Sequence, residues 1–153
     1  MGLLNRYEKI RMDEDAIPKA ESRNRSGGKK RMNKTIRVSA AGDILIMKRL
    51  LPGYQDVLPI REFLMQGEVR MANLETTISD GSCYASAYSG GTWLTADAKC
   101  LEDTLRYGFN FLGISNNHTM DYSYEGLAST ISELKKKDVA YAGAGKNLYE
   151  ASR

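Results

Sequence analysis

Three separated stretches of this 153-residue chain carry side chains of the kind that hold metals or move protons. Asp43 follows the strand-like run 35–42, Glu75 follows 68–73, and Asn116, Asn117 and His118 follow 110–115. His118 is the only histidine. The carboxylates of Asp43 and Glu75 are hard oxygen donors suited to Mg, Mn, Fe or Zn, and a carboxylate can bridge two ions. The amide oxygen of Asn117 adds a neutral ligand without over-neutralising the metal. An imidazole exchanges protons near neutral pH, so His118 is the candidate proton donor to a leaving oxygen. Two ions about 3.5–4 Å apart would acidify a bound water and clamp a phosphoryl group. Asp121 either orients the imidazole or caps the helix that follows, and the cap is the favoured reading.

Each position also has a plainer explanation. Asp43 after Gly42 can close a turn by bonding nearby amides. Glu75 can be a solvated loop carboxylate, and a lone histidine is more often structural than catalytic. What sets these residues apart is where they fall. Consecutive parallel strands deliver their C-terminal ends to one edge of a sheet, where open α/β folds place their sites. Clusters tens of residues apart in sequence then meet in space.

The elements that would do this alternate along the chain. A first strand over 35–42 places Ile36, Val38 and Ala40 on one alternation. A short helix over 56–66 is helped to start by Pro59, which fits a first helical turn. A second strand covers 69–74, and 79–95, rich in Gly, Ser and Tyr, reads as a long loop or small insertion. Asp97 caps a helix running to Tyr107 and closed by Gly108. A third, apolar strand over 109–114 suits burial on both faces. The helix over 124–137 has Leu127, Ile131 and Leu134 on one face and lysines at its C-terminus. A fourth strand covers 139–143, and Asn147 caps a last short helix. Gly143-Ala144-Gly145-Lys146 lacks the first Gly and the Ser or Thr of GxxxxGK[ST], which excludes a P-loop NTPase. Strand and helix in this alternation predict an α/β fold with a mostly parallel sheet and flanking helices.

Charge divides the chain. Residues 1–34 hold ten of the 22 Lys and Arg but five of the 19 acids, so the net charge of +3 belongs to this tail. Its polar composition predicts disorder. The basic run 29–31 is of a kind that touches phosphates, although a solvated leader, or an extension ahead of a start at Met32, is the plainer reading. Residues 35–153 form the predicted domain, long enough to bury a core. Cys83 and Cys100 are too few for a disulfide framework and either pair or stay reduced. No run approaches the ~18 apolar residues of a membrane span, and no apolar signal segment opens the chain. The expectation is a soluble, cytoplasmic protein.

The motifs Gly42-Asp43-Ile44, Asn73-Leu74-Glu75, Gly108-Phe109-Asn110, Ser115-Asn116-Asn117-His118-Thr119-Met120-Asp121 and Gly143-Ala144-Gly145 together resemble the bacterial capsule synthesis protein CapA family. That family is linked to poly-γ-glutamate production and resembles a branch of the calcineurin-like metallophosphatases. The resemblance covers about residues 35–151. It implies a layered α/β sandwich around two sheets and a divalent metal site, dinuclear in the superfamily. It implies metal ligands at Asp43, Glu75 and Asn117, Glu75 being the bridging carboxylate, and a proton donor at His118. The histidine motifs of the family's second half are absent, so the expectation is a domain truncated at its C-terminus, working with a continuation or a partner. Two functions follow as expectations: a metal-dependent phosphoesterase of capsule biosynthesis, or a non-catalytic component supporting a membrane-bound polymer synthase or exporter. Capsule or polyglutamate synthase subunits are the expected partners. An incomplete sheet also predicts self-association through its open edge.

Overall fold

Adjacent parallel strands cannot be joined by a tight turn and need a crossover. The spacing of apolar runs in this chain supplies those crossovers. The computed structural model describes residues 35–152 apart from Gly90. In chain order its elements are β1 (Val38–Ile44), α1 (Val57–Leu64), β2 (Val69–Leu74), β3 (Thr77–Ile78), β4 (Thr95–Ala96), α2 (Ala98–Leu105), β5 (Phe111–Gly113), α3 (Ser123–Lys136), β6 (Ala140–Ala142) and α4 (Leu148–Ala151). The reading of residues 1–34 as a tail lies outside the described residues.

The main sheet has the order β1-β2-β5-β6, and every pairing in it is parallel. Leu74 and Leu112 from the strands and Ile114 just after β5 pack with Leu101 of α2 and Leu134 of α3 to form its core. The α/β class and the parallel sheet with flanking helices are therefore as the alternation of elements predicts. Asp97 caps α2, its side chain accepting from the amides of Lys99 and Cys100 at 2.7 and 3.2 Å. Asn147 caps α4 in the same way. Cys83 and Cys100 are unbridged. Among the described residues no helix is long and apolar enough to cross a membrane.

Three elements differ from the sequence reading. The first strand runs two residues further than 35–42, so Asp43 lies within β1 instead of after it. Pairing resumes beyond an irregularity, with Asp43 opposite Asn73 and Ile44 opposite Leu74. Ile36 and Val38 are exposed, so their alternation does not form a buried face. The segment 79–95 is bracketed by a second sheet in which β3 and β4 pair in parallel. Two-residue strands leave no periodicity to read. Their buried Thr77, Ile78 and Ala96 give them away only in three dimensions. The third strand is also shorter than 109–114.

Two close approaches hold the layers together. Thr130 Oγ1 on α3 accepts the Ile78 amide at 2.9 Å and donates to the Gly126 carbonyl, fastening α3 to β3. A side chain on Gly126 would stand 3.0 Å from Thr77 Cγ2. Gly143, after β6, has φ +110° and leaves no room for a side chain beside Ser115. Its amide donates to the Ala151 carbonyl, so this glycine serves a packed turn.

Candidate active site

The register of three neighbouring strands assembles the site. β1 carries Asp43 opposite Asn73 of β2, and Asn73 is opposite Gly113 of β5. Glu75 and Asn116 thus leave the C-terminal ends of adjacent strands. Asn73 Nδ2 donates to Asp43 Oδ1 at 2.8 Å and to Glu75 Oε1 at 3.1 Å. Asn116 Nδ2 donates to Asn73 Oδ1 at 3.0 Å and to the Leu74 carbonyl at 2.9 Å. Asn116 Oδ1 accepts the His118 amide at 3.0 Å. Thr119 Oγ1 accepts the Asn116 amide at 2.8 Å and donates to the Ile114 carbonyl, which pins the turn to the end of its strand.

His118 and Asp121 form the buried end of this arrangement. His118 Nδ1 lies 2.8 Å from Asp121 Oδ2, and the same oxygen accepts the Leu94 amide at 2.8 Å. That oxygen serves as an acceptor, so the hydrogen of the pair belongs on Nδ1 and Nε2 is the nitrogen left for proton exchange. Asp121 is 1% exposed and His118 8%. The favoured reading of Asp121 as a helix cap is corrected. The cap position of α3 is Tyr122, which makes no side-chain cap bond, and the Asp121 carboxylate turns to the imidazole. The Asp121 carbonyl also accepts the Ser86 amide, so the segment between β3 and β4 is anchored directly to this cluster.

Glu75 and His118 line one small pocket, with Thr76, Thr119 and Thr130 in its walls. Asp43 is exposed at the outer end of the hydrogen-bond chain. Asn117 is exposed in the turn beside His118. Asp43, Glu75, His118 and Asp121 are therefore joined through one set of bonds, and Asn117 stands between two residues of that set, Asn116 and His118. Asn73 and Asn116, the amides that make the connection, are the site residues that sequence reasoning left unassigned. The signal for Asn73 was alternation, since Asn73 at the end of β2 and Glu75 just after it flank buried Leu74.

The chain leaving β1 is held by a separate clamp. Arg49 Nε donates to Asp103 Oδ2 at 2.6 Å and the Leu50 amide to the same oxygen at 2.9 Å. The Arg49 hydrogen bond holds the Asp103 carboxyl below its usual range, against the opposing effect of burial. Burial, and then the charges of Asp97 and Asp103, push the neighbouring Cys100 thiol up, so it is no reactive thiolate.

As donors, Asp43 and Glu75 have the hard-oxygen chemistry that a divalent cation takes. Among the described residues no group of three or more His, Cys, Asp or Glu side chains comes together to hold a metal ion. The fit is that of a partial ligand set.

A parallel sheet with carboxylate, amide and imidazole groups at neighbouring strand ends defines an α/β protein with a strand-end site. Comparison with known proteins narrows this. The model of the family "Bacterial capsule synthesis protein PGA_cap" matches residues 19–153, and the chain belongs to that family. The match begins ahead of residue 35, where the predicted domain starts. The uncharacterized protein y4sH of Sinorhizobium fredii is 29% identical over 120 residues, covering 74% of this chain and 25% of that protein. The capsule biosynthesis protein CapA of Bacillus anthracis is 28% identical over 128 residues, 78% of this chain and 31% of the relative. The PGA biosynthesis protein CapA of Bacillus subtilis is 38% identical over 45 residues, 29% of this chain and 12% of the relative. The chain spans between a quarter and a third of the length of the first three curated relatives it matches.

Proposed function

We propose that this capsule-synthesis-family chain contributes a metal-dependent phosphoesterase site of calcineurin-like type to the synthesis of a poly-γ-glutamate capsule. The observation that carries the reading is the unbroken set of hydrogen bonds from Asp43 through Asn73 and Asn116 to His118, on three adjacent strand ends. Asp43 and Glu75 would hold a divalent cation such as Mn, Fe, Zn or Mg, with the Asn117 amide oxygen as a further ligand. A bound cation supplies Lewis-acid polarisation of a phosphoryl oxygen. His118, its Nδ1–H held by Asp121, gives a proton to the leaving oxygen from Nε2 in its doubly protonated form and is left as the neutral ring with its hydrogen on Nδ1. Leu94 and Asp121 keep that ring in one orientation.

Support for the capsule setting comes from family membership and from relatives named for capsule and PGA biosynthesis. The substrate is a phosphoester, the location is cytoplasmic, and the partners are subunits of the polymer synthase. The test is hydrolysis of an aryl phosphate by the 153-residue chain with added Mn²⁺. Activity is expected to depend on the metal and to fall by about 100-fold or more in His118→Ala, the range for losing a general acid. Asn117→Ala should raise the Mn²⁺ concentration required. No metal-dependent turnover, together with a synthase subunit that co-purifies stably, would replace this reading with that of a non-catalytic assembly component.

A further inference from the structure

Two carboxylates that meet one amide leave it no choice of direction. Asn73 Nδ2 lies 2.8 Å from Asp43 Oδ1 and 3.1 Å from Glu75 Oε1. An amide nitrogen donates two hydrogens and an amide oxygen only accepts. Turned over, Asn73 would set its oxygen against two carboxylate oxygens. Its oxygen must therefore face away, where Asn116 Nδ2 meets it at 3.0 Å. The second hydrogen on Asn116 Nδ2 goes to the Leu74 carbonyl. That leaves Asn116 Oδ1 for the His118 amide, which can only donate. Each amide's direction follows from the one before it, starting at the carboxylates and ending at the histidine's backbone.

Strand register alone cannot do this. It sets Asp43 opposite Asn73, but Asp43 is exposed, and the hydrogen bond from Asn73 holds one of its carboxylate oxygens. The Asn73 hydrogens hold one oxygen of each acid and leave each a second oxygen for a ligand. They also bring the two carboxylates to one shared donor. Asn116, by holding the oxygen of the Asn73 amide, fixes its position where the carboxylates have fixed its direction.

We propose that Asn116 is a positioning residue acting through Asn73: it locks both Asn73 amide hydrogens onto the Asp43–Glu75 pair and ties that pair to the turn carrying His118. The consequence for metal affinity rests on the reading of Asp43 and Glu75 as cation ligands; the amide geometry does not.

The test uses the full chain and four variants. Asn116→Asp keeps an acceptor for the His118 amide but loses the donor to Asn73, while Asn116→Ala loses both. Asn73→Ala removes the relay, and Thr119→Val removes the other anchor of the same turn. The first readout needs no metal: proton exchange of the Asn73 side-chain NH₂ group with water, followed by NMR. Exchange is expected to quicken about tenfold in Asn116→Asp and by clearly less in Thr119→Val, which loosens Asn116 only at its backbone amide and Oδ1 and leaves its donor to Asn73 in place. Unchanged exchange in Asn116→Asp, or equal quickening in Thr119→Val, overturns the proposal.

The second readout is Mn²⁺ affinity by calorimetry. Losing a residue that orients metal ligands typically weakens affinity by about 10–100-fold. Asn116→Asp, Asn116→Ala and Asn73→Ala should each fall in that range. The Asn73→Ala/Asn116→Ala double variant should bind no more weakly than Asn73→Ala alone. Additive losses would mean that Asn116 acts independently, which overturns the proposal. If the unaltered chain binds no Mn²⁺, the metal reading fails and amide exchange alone decides the positioning role. If neither Asn116 variant folds, the His118 ring signals in Asn73→Ala decide it. A shift supports the link, and unchanged signals overturn it.

Discussion

Asp121 shows how a single carboxylate can join two segments distant in sequence. One of its oxygens receives both the His118 ring and the Leu94 amide, inside a site that is almost fully buried. Removing a buried acceptor costs more than the bond itself was worth, because the donors it served lose their partner in a dry environment. Asp121→Ala is therefore expected to lower stability by about 1–3 kcal/mol in urea denaturation. A change below about 0.5 kcal/mol would mean that water readily replaces the carboxylate. Glu75 and Asp43 belong to a wetter setting, half-buried and exposed in turn. Their geometry rests on amide donors instead of packing, so loss of those donors should disturb ligand binding more than folding.

Between elements, the decisive contacts are polar anchors at the ends of short strands. The Asp103 carboxylate of α2 holds the segment that leaves β1 through Arg49 and the Leu50 amide. The hydrogen bond from Arg49 is the main cause of its depressed pKa, with burial opposing it and the Leu50 amide assisting. A carboxyl lowered in the folded state contributes stability above its unfolded value, near 3.9, and loses it as pH falls through the folded value. Unfolding free energy followed against pH should therefore fall below about pH 4. Asp103→Asn should flatten that part of the curve. An unaltered slope in the variant would mean that other acids set the acid limb. This clamp also explains how a strand with exposed Val38 and Asp43 keeps its place in the sheet, since the segment following β1 is fastened to a helix.

At the scale of the whole molecule, the buried side chains are concentrated under β2, β5, α2 and α3, while β1 and α1 leave much apolar surface open. Leu112 and Leu101 are fully buried, whereas Leu58, Ile60 and Phe63 of α1 are about half exposed. Leu112→Ala should cost about 2–5 kcal/mol by leaving a cavity. Phe63→Ser should change stability by no more than about 0.5 kcal/mol. Calorimetric melting of both variants checks the pair, and a large loss in Phe63→Ser would show that α1 packs more tightly than its exposure indicates. The alternation of apolar runs, the caps Asp97 and Asn147 and the strand-end position of the polar motifs were all legible in the amino-acid order. Each depends on local periodicity or on a side chain reaching its own backbone. The extension of β1 through Asp43, the two-residue strands β3 and β4, the turn of Asp121 toward His118 and the amide chain through Asn73 and Asn116 were not. Each is set by a partner brought close by the sheet. Local chemistry determined which residues stand at the strand ends; only tertiary register decided which of them touch, because a hydrogen bond's direction depends on the atom opposite.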